Sequence, residues 1–219
     1  MFGKKQLERM LTRKLWDYAI DMKEGFVPRK GKVCPLSREE REEVREFVKE
    51  QLRKSYIRPS KSLQMVPVFF VEKKNEKKWM VQDYRYLNEW TVKNNYPLPL
   101  ISDILENIGM KKVFTKMDLR WGYNNVRIKE RDEWKAVFMT PEGSFEPMVM
   151  FFGLTNSPVT FQAMMNKLLR DLINTGKVAA FIDDVIVGTE TEEGHDELVA
   201  EVIRRLEEND LYVKPEKCK

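Results

Sequence analysis

Three aspartates are the residues of this sequence best suited to catalysis. Asp183 and Asp184 are adjacent and lie between two short apolar arms, and Asp118 ends an earlier strand-like segment, residues 113–118. Like charges about 4 Å apart repel by roughly 4 kcal/mol at an effective dielectric constant near 20, so such a cluster needs a proton or a cation. Oxygen ligands of this kind suit Mg²⁺, and a pair of such ions supports nucleotidyl transfer. The aspartate pair taken alone is equally typical of a hairpin turn.

The sequence lacks the residue patterns of other common catalytic sites. The single histidine, His195, is expected at the exposed start of a helix, which leaves no partner for a nucleophilic serine or cysteine. Cys34 and Cys218 lack the spacing of a zinc site or a disulfide framework, and the sequence has no glycine-rich phosphate loop. The densest apolar stretch, 148–152, is far below the roughly 20 residues of a membrane span. Residues 1–5 lack the apolar core of a secretion signal, so we expect an intracellular protein.

The segments that must position the aspartates alternate between strand and helix patterns. Ser37 and Glu40 have the spacing of a capping box, which predicts a helix that ends near Ser55. Two runs, 66–71 and 79–84, predict the strands of a basic hairpin. Further strands are predicted at 113–118, 126–128, 135–140, 145–150 and on both sides of the aspartate pair, and further helices at 101–108, after Pro158 and at 195–208. This mixture could bring Asp118 beside the pair.

Positive charge is concentrated in the first part of the chain. Residues 1–61 contain 17 Lys and Arg against 10 Asp and Glu, a net charge of +7, whereas residues 62–219 have a net charge of −3. A basic segment of this kind suits a polyanion, because each neutralised phosphate releases counterions. A solvated helix face with mixed charges gives the same pattern, so charge alone leaves both interpretations open.

A series of short blocks, in a fixed order, extends from about residue 35 to the C terminus. The blocks are IRPS at 57–60, PVFFV at 67–71, QDYR at 82–85, YPLP at 96–99, TKMDLRWGY at 115–123, FGLTNSP at 152–158, TFQ at 160–162 and FIDD at 181–184. In their order and spacing the chain resembles the reverse transcriptases of gypsy-type long-terminal-repeat retrotransposons. Each block alone is weak, but the combination is highly specific.

The resemblance implies an α+β fold. The expected architecture is a polymerase palm, an antiparallel sheet packed on helices, with an N-terminal fingers subdomain and no thumb. Residues 1–36 would lead into the fingers, and 37–112 would be mainly fingers, including the basic hairpin 66–84. Residues 113–219 would be mainly palm, with fingers segments interleaved around 129–157.

The resemblance also implies roles for individual residues. Asp118, Asp183 and Asp184 would be the catalytic carboxylates and would bind two Mg²⁺ ions, for which Mn²⁺ can substitute. Nucleotide contacts are implied for Tyr123, Lys73, Lys74, Phe152 and Gly153, and template or primer contacts for Arg85, Asn156, Pro158 and Phe181. Tyr123 would pack under the incoming sugar and clash with a 2′-hydroxyl, which disfavours an RNA-dependent RNA polymerase. Arg85 could equally be structural.

The activity implied is that of an RNA-directed DNA polymerase, which adds dNTPs to a DNA primer on an RNA or DNA template. The thumb, connection, ribonuclease H and integrase of a polyprotein are expected in cis, in a cytoplasmic retroelement particle and without a membrane. Without a thumb, this chain would be weak or inactive alone. At Trp79 the family usually carries an arginine that clamps the triphosphate. The alternative interpretation is therefore a catalytically inactive nucleic-acid-binding remnant.

Overall fold

The computed structural model of the chain describes residues 12–72, 78–120 and 122–219. Lys73 and Lys74, predicted to contact nucleotide, lie outside the described residues. The helices are α1 Arg38–Arg53, α2 Arg85–Trp90, α3 Ile101–Gly109, α4 Ser157–Leu168, α5 Arg170–Asn174 and α6 His195–Glu208. The strands are β1 Ile57–Pro59, β2 Val66–Glu72, β3 Lys78–Gln82, β4 Val113–Asp118, β5 Phe138–Thr140, β6 Gly143–Pro147, β7 Val178–Phe181 and β8 Asp184–Thr189. Within the described residues, no helix is both long enough and apolar enough to cross a bilayer.

The described chain divides into two compact units. We call Asn94–Asn125 with Pro158–Lys219 the carboxylate unit, because it contains the three aspartates, and residues 12–93 with Val126–Ser157 the hairpin unit. The sequence-based division placed residues 94–112 with the fingers, whereas by compactness they group with the residues that follow them.

The carboxylate unit is built on a three-stranded antiparallel sheet in the order β4-β8-β7. Its buried face carries alternating apolar residues of β8, Val185 and Val187, as a half-buried strand requires. Helix α4 contributes Met164 and Met165 to the core, where both side chains are buried. The end of the chain continues the sheet at the β4 edge, where Lys214 N donates to Asp118 O at 2.8 Å.

The hairpin unit has a five-stranded sheet in the order β1-β6-β5-β2-β3, in which only the β2–β5 pair is parallel. Helix α1 begins at the predicted capping box. Ser37 Oγ accepts from Glu40 N at 3.2 Å, and Glu40 Oε2 accepts from Ser37 N at 2.8 Å. The helix buries Val44 and Val48, which lie one turn apart on its apolar face. The sequence pattern therefore predicted this helix correctly.

Several element predictions were wrong in the hairpin unit. Residues 126–128 form isolated bridges rather than a strand, and Glu133–Ala136 is a 3₁₀ turn where a strand over 135–140 was predicted to begin. Strand β6 starts at Gly143, before the predicted 145–150. Helix α2 was not predicted, because six residues are too few to display a helical period.

One further break lies in the carboxylate unit, where the single helix predicted after Pro158 divides into α4 and α5 at Leu169. The buried side chain of Leu169 continues the apolar face across the break. Hydrophobic periodicity therefore does not reveal the interruption.

His195 is buried, which overturns its predicted exposure at the start of α6. Its Nδ1 lies 2.8 Å from Thr189 Oγ1, and its Nε2 lies 2.8 Å from Thr115 Oγ1. Thr189 Oγ1 donates its only proton to Thr191 O at 2.7 Å, so it must accept a proton from Nδ1. The imidazole therefore ties α6 to both β8 and β4.

Replacing His195 by leucine should lower the free energy of unfolding by about 1–3 kcal/mol, because the hydroxyls of Thr115 and Thr189 lose their partner. Urea denaturation measures the change. Glu197→Gln, an exposed exchange in the first turn of the same helix, is the control and should change stability by less than about 0.5 kcal/mol. A His195→Leu protein as stable as the wild type would contradict this role.

Candidate active site

Strand pairing brings the three aspartates together. Asp118 is the last residue of β4 and Asp184 the first of β8, and the two are direct partners in the antiparallel register. Directly opposed residues in such a pair have Cβ atoms about 4.5–5.5 Å apart. Asp183 lies in the two-residue turn between β7 and β8, and its carbonyl accepts from Leu119 N at 2.9 Å. The strand register therefore places Asp118 beside the aspartate pair, as the sequence predicted.

Asp118 is held in its ionised form by two lysines from the end of the chain. Lys214 Nζ donates to Oδ1, and Lys217 Nζ donates to Oδ2 at 3.2 Å. Burial acts to raise the pKa of Asp118, but the hydrogen bonds and charges of the two lysines outweigh it and lower the pKa below its usual value. Sequence reasoning missed both lysines, because their approach to Asp118 depends on the final segment lying beside β4.

Asp183 has the opposite environment. Its Oδ1 is buried, and no hydrogen-bond donor among the described residues reaches it. Burial, and secondarily the charges of Asp118 and Asp184, raise the pKa of Asp183 to about 6 against the opposing effect of Lys214. A buried carboxylate oxygen without a donor is stabilised by a proton or by a bound cation.

Gly122 makes room for the Asp183 side chain. A Cβ on Gly122 would lie 2.1 Å from Asp183 Oδ1 and 2.9 Å from its Cγ, so any other residue would displace the carboxylate. The glycine lies in the same block as Asp118, four residues further on. Its requirement could not be read from the sequence, because the atom that it must accommodate is about 60 residues away in the chain.

Tyr123 is buried in the same unit. Its ring meets Phe161 edge-on, with centroids 5.8 Å apart and an interplanar angle of 83°. Burial, and secondarily the charge of Asp183, raises the pKa of the Tyr123 hydroxyl to about 12. Of the other predicted contacts, Phe181 ends β7 opposite Asp184, and Pro158 lies in the first turn of α4.

The donors of this site fit a hard divalent cation. In the described part of the chain, no three carboxylate, imidazole or thiol groups already converge as a ligand set. Two of the carboxylates form ion pairs with lysines. Lys116 Nζ lies 3.2 Å from Asp184 Oδ1, and Lys214 and Lys217 contact Asp118. Magnesium sites in phosphoryl transfer use one or two carboxylates together with water and substrate phosphates, so a closed protein cage is not required. The orphaned oxygen of Asp183 is suited to such a ligand.

The remaining predicted residues belong to the hairpin unit. Phe152 is half exposed, and Gly153 has φ +96°, a conformation that favours glycine. Asn88 holds this loop by donating to Gly153 O at 2.6 Å and accepting from Thr155 N at 2.9 Å. Asn156 is buried, and its Nδ2 donates to Val92 O at 2.8 Å. The amide of Asn156 thus holds the local backbone.

Arg85 borders a polar groove of about 490 Å³ in the hairpin unit. Its side chain is 87% exposed and donates two hydrogen bonds, of 2.8 and 2.7 Å, to Asp83. Arg29, which stacks on Tyr86 at 3.5 Å, lines the same groove. So does Gln64, whose buried Nε2 has no hydrogen-bond partner among the described residues. Sequence reasoning singled out Arg85 but not Arg29 or Gln64, because these two residues lie in segments with no regular pattern.

Comparison with known proteins establishes the family. Residues 71–219 match the family described as "Reverse transcriptase (RNA-dependent DNA polymerase)", and this match contains all three aspartates. The chain belongs to the reverse transcriptase family. The resemblance noted from the sequence blocks is thereby confirmed.

The reverse transcriptase relatives include polyproteins of fission yeast transposons. The chain is 34% identical over 184 residues to the Tf2-3 polyprotein and 33% identical to the Tf2-7 polyprotein, both of Schizosaccharomyces pombe. Each alignment covers 84% of this chain and 14% of the relative. The chain thus spans about one seventh of the length of these curated relatives.

Solved reverse transcriptases confirm the α+β fold of fingers and palm. The foamy viral protease-reverse transcriptase in complex with RNA/DNA hybrid matches 94% of this chain with a TM-score of 0.83 and 22% identity, over 27% of its own length. A related structure in complex with double-stranded DNA matches with a TM-score of 0.77, covering 94% of this chain and 36% of that one.

The raised pKa of Asp183 predicts a pH-dependent cost in stability. Below about pH 4 the side chains of wild type and Asp183→Asn are both neutral, and the two proteins should be similarly stable. Between about pH 4 and pH 6 the unfolded state, with a pKa near 3.8, ionises Asp183 more readily than the folded state, so the wild type loses stability. Asp183→Asn should therefore be more stable at neutral pH, by up to about 3 kcal/mol.

Urea unfolding at a series of pH values, without divalent cations, measures this difference. Glu197→Gln is the control, because Glu197 is exposed on α6 and its replacement should change stability by less than about 0.5 kcal/mol. A difference between wild type and Asp183→Asn that is the same at every pH would contradict the assignment.

Proposed function

We propose that this chain carries the nucleotidyl-transfer site of an RNA-directed DNA polymerase. The observation that carries the proposal is the meeting of Asp118, Asp183 and Asp184 at one sheet edge in a member of the reverse transcriptase family. In this reaction the 3′-hydroxyl oxygen of a DNA primer attacks the α-phosphorus of a dNTP. The new phosphodiester bond forms as the bond to the β-phosphate breaks, and pyrophosphate leaves.

The three carboxylates would hold two Mg²⁺ ions, for which Mn²⁺ can substitute. When bound, such ions lower the pKa of the attacking hydroxyl and neutralise charge on the leaving oxygen. Asp183 presents the buried oxygen that lacks a donor, and its desolvation cost is offset when a cation binds. Lys214 and Lys217 keep Asp118 ionised, so this carboxylate accepts a cation without first losing a proton.

Tyr123 is proposed to lie under the sugar of the incoming nucleotide and to exclude a 2′-hydroxyl. Its burial near Asp183 and its edge-on packing against Phe161 support this role, because a steric gate must be held in place when the substrate binds. From the family resemblance, Phe152 and Gly153 are proposed to contact the nucleotide, and Lys73 and Lys74 to approach the triphosphate.

The polar groove of the hairpin unit is proposed to contact the template strand. Arg29 and Arg85 supply charge for phosphates, and Gln64 supplies an amide donor that lacks a partner in the described residues. The foamy viral enzyme is known in complex with an RNA/DNA hybrid, which supports a nucleic acid as the partner here. Arg85 retains its second interpretation, because its hydrogen bonds to Asp83 also stabilise the start of α2.

The proposal extends to the setting of the chain. Because it spans 14% of the transposon polyproteins, we propose that a thumb, a connection, a ribonuclease H and an integrase act with it in cis. The expected location is a cytoplasmic retroelement particle.

The alternative, a catalytically inactive nucleic-acid-binding remnant, is not favoured by the family match, and Trp79 is the residue that supports it. Trp79 pairs with Val71 on the β2–β3 hairpin and is 46% exposed, at a position where the resemblance leads one to expect an arginine. An indole offers neither the charge nor the fork of donors that binds a triphosphate. Extension of a primer on an RNA template by this chain would exclude the remnant.

Asp183→Asn should abolish primer extension, lowering the rate by at least about a thousandfold, because one ligand of the cation pair is lost. The measurement is single-nucleotide incorporation with Mg²⁺ or Mn²⁺ on an RNA template with a DNA primer. The same exchange is expected to stabilise the fold, so loss of activity cannot be attributed to unfolding. Glu197→Gln is the control, and normal extension by Asp183→Asn would contradict the proposed site.

Tyr123→Val should relax sugar selectivity. Removing the ring leaves space for a 2′-hydroxyl, so the preference for dNTP over rNTP should fall by about tenfold or more, mainly through better use of rNTP. Competitive incorporation assays give the ratio of kcat/KM values. Tyr123→Phe retains the ring and should preserve selectivity, and a Tyr123→Val enzyme as selective as the wild type would contradict the steric gate.

A further inference from the structure

The residue before Asp183 has a backbone conformation that its side chain disfavours. Ile182 has φ +52°, in the left-handed region. A β-branched residue in this region is a genuine outlier, and such outliers persist only where surrounding contacts impose them. Because Ile182 and Asp183 form the turn between β7 and β8, this conformation sets the direction in which Asp183 leaves the sheet.

The side chain of Gln162 contacts the backbone on the strained turn. Gln162 lies on α4 and is fully buried. Its Oε1 accepts from Ile182 N at 2.7 Å, and its Nε2 donates to Ala180 O at 2.9 Å. The remaining Nε2 proton goes to Asn166 Oδ1 at 2.8 Å, and Asn166 Nδ2 in turn donates to Tyr96 Oη at 2.8 Å.

These contacts require an amide at position 162. The backbone N–H of Ile182 can only donate and the carbonyl of Ala180 can only accept, so one side chain must offer both an acceptor and a donor. This requirement also fixes which end of the Gln162 amide faces each group. Asparagine is one methylene shorter, and methionine has the length of glutamine without the amide.

A second contact holds the other side of the turn. Asp183 O accepts a hydrogen bond of 2.9 Å from the backbone N–H of Leu119, the residue that directly follows Asp118. The peptide before Ile182 is thus held by Gln162, and the peptide after Asp183 is held by Leu119, which directly follows β4. The buried Oδ1 of Asp183 then lies against Gly122, where it has no protein donor among the described residues.

We propose that Gln162 is a positioning residue: its amide imposes the left-handed conformation of Ile182 and so directs the Asp183 carboxylate to the position in which it binds a divalent cation. The inference rests on the proposed metal-binding role of Asp183. Gln162 does not contact the cation itself and acts only through the backbone of the turn. Other residues that orient a metal ligand in this indirect way typically alter affinity by roughly 10- to 100-fold when replaced.

The test compares Mn²⁺ binding by Gln162→Met and Gln162→Asn with that of the wild type, using the electron paramagnetic resonance signal of free Mn²⁺. Both variants should bind Mn²⁺ about 10- to 100-fold more weakly. In ¹H–¹⁵N spectra the Ile182 amide should exchange with solvent about tenfold faster or more, because it loses its acceptor. Gln162→Asn keeps a polar group beside Asn166 and provides the test if Gln162→Met does not fold.

A double variant separates positioning from packing. Glycine adopts φ > 0 without the penalty that isoleucine has, so Ile182→Gly should make the turn less dependent on Gln162. Gln162→Met should then weaken Mn²⁺ binding at least about fivefold less in the Ile182→Gly background than in the wild type. A role confined to core packing predicts the same loss in both backgrounds, and that result would overturn the proposal.

Two controls make the outcomes distinguishable. Gln82→Met, the same exchange at a buried glutamine of the hairpin unit, should leave Mn²⁺ affinity unchanged. Asp183→Asn should lose Mn²⁺ affinity. If it does, and the Gln162 variants bind Mn²⁺ as the wild type does, the positioning role is wrong and the proposed function stands. If Asp183→Asn binds Mn²⁺ normally, both are wrong.

Discussion

Mutual repulsion among three carboxylates is the constraint on which the rest of the carboxylate unit depends. The antiparallel register places Asp118 opposite Asp184, and the β7–β8 turn adds Asp183 directly before Asp184. Folding must compensate for this concentration of negative charge. The structure does so unequally, because lysines contact Asp118 and Asp184 whereas Asp183 Oδ1 is buried without a donor in the described residues.

This inequality links the stability of the unit to its chemistry. Asp118 is compensated within the chain by Lys214 and Lys217, so it contributes a permanent negative charge. Asp183 is compensated only in part, which leaves a folding cost that a bound cation relieves. The Asp183 carboxylate is therefore an unfavourable group that the rest of the unit holds in place. The supporting elements are the sheet, the β7–β8 turn and the final segment with Lys214 and Lys217. Active sites commonly retain such groups, because their replacement would improve stability and remove function.

The parts of this arrangement that the sequence predicted are those that depend on local pattern or on ordered blocks. The capping box at Ser37 and the two apolar arms around Asp183 and Asp184 are local patterns, and the ordered blocks pointed to the same aspartates. Contacts between distant segments were not predictable. Gln162 was visible only as part of a block, and Lys214 carried no signal at all. The sequence shows that His195 begins a helix, and it was therefore predicted to be exposed. The sequence does not show that Thr115 and Thr189 surround its side chain.

The close approach of Gly122 to the Asp183 carboxylate has a consequence for how the gene can change. Every missense change in a glycine codon adds a Cβ, and at this position any Cβ meets Asp183 Oδ1 at 2.1 Å. Gly122 and Asp183 must therefore be retained together, although their codons lie far apart in the gene. A copy of the gene that keeps all three aspartate codons but has a changed codon 122 would therefore encode a protein in which the Asp183 carboxylate is displaced. The codon for Gly122 is thus as informative as the three aspartate codons when gene copies that encode an intact site are distinguished from copies that do not.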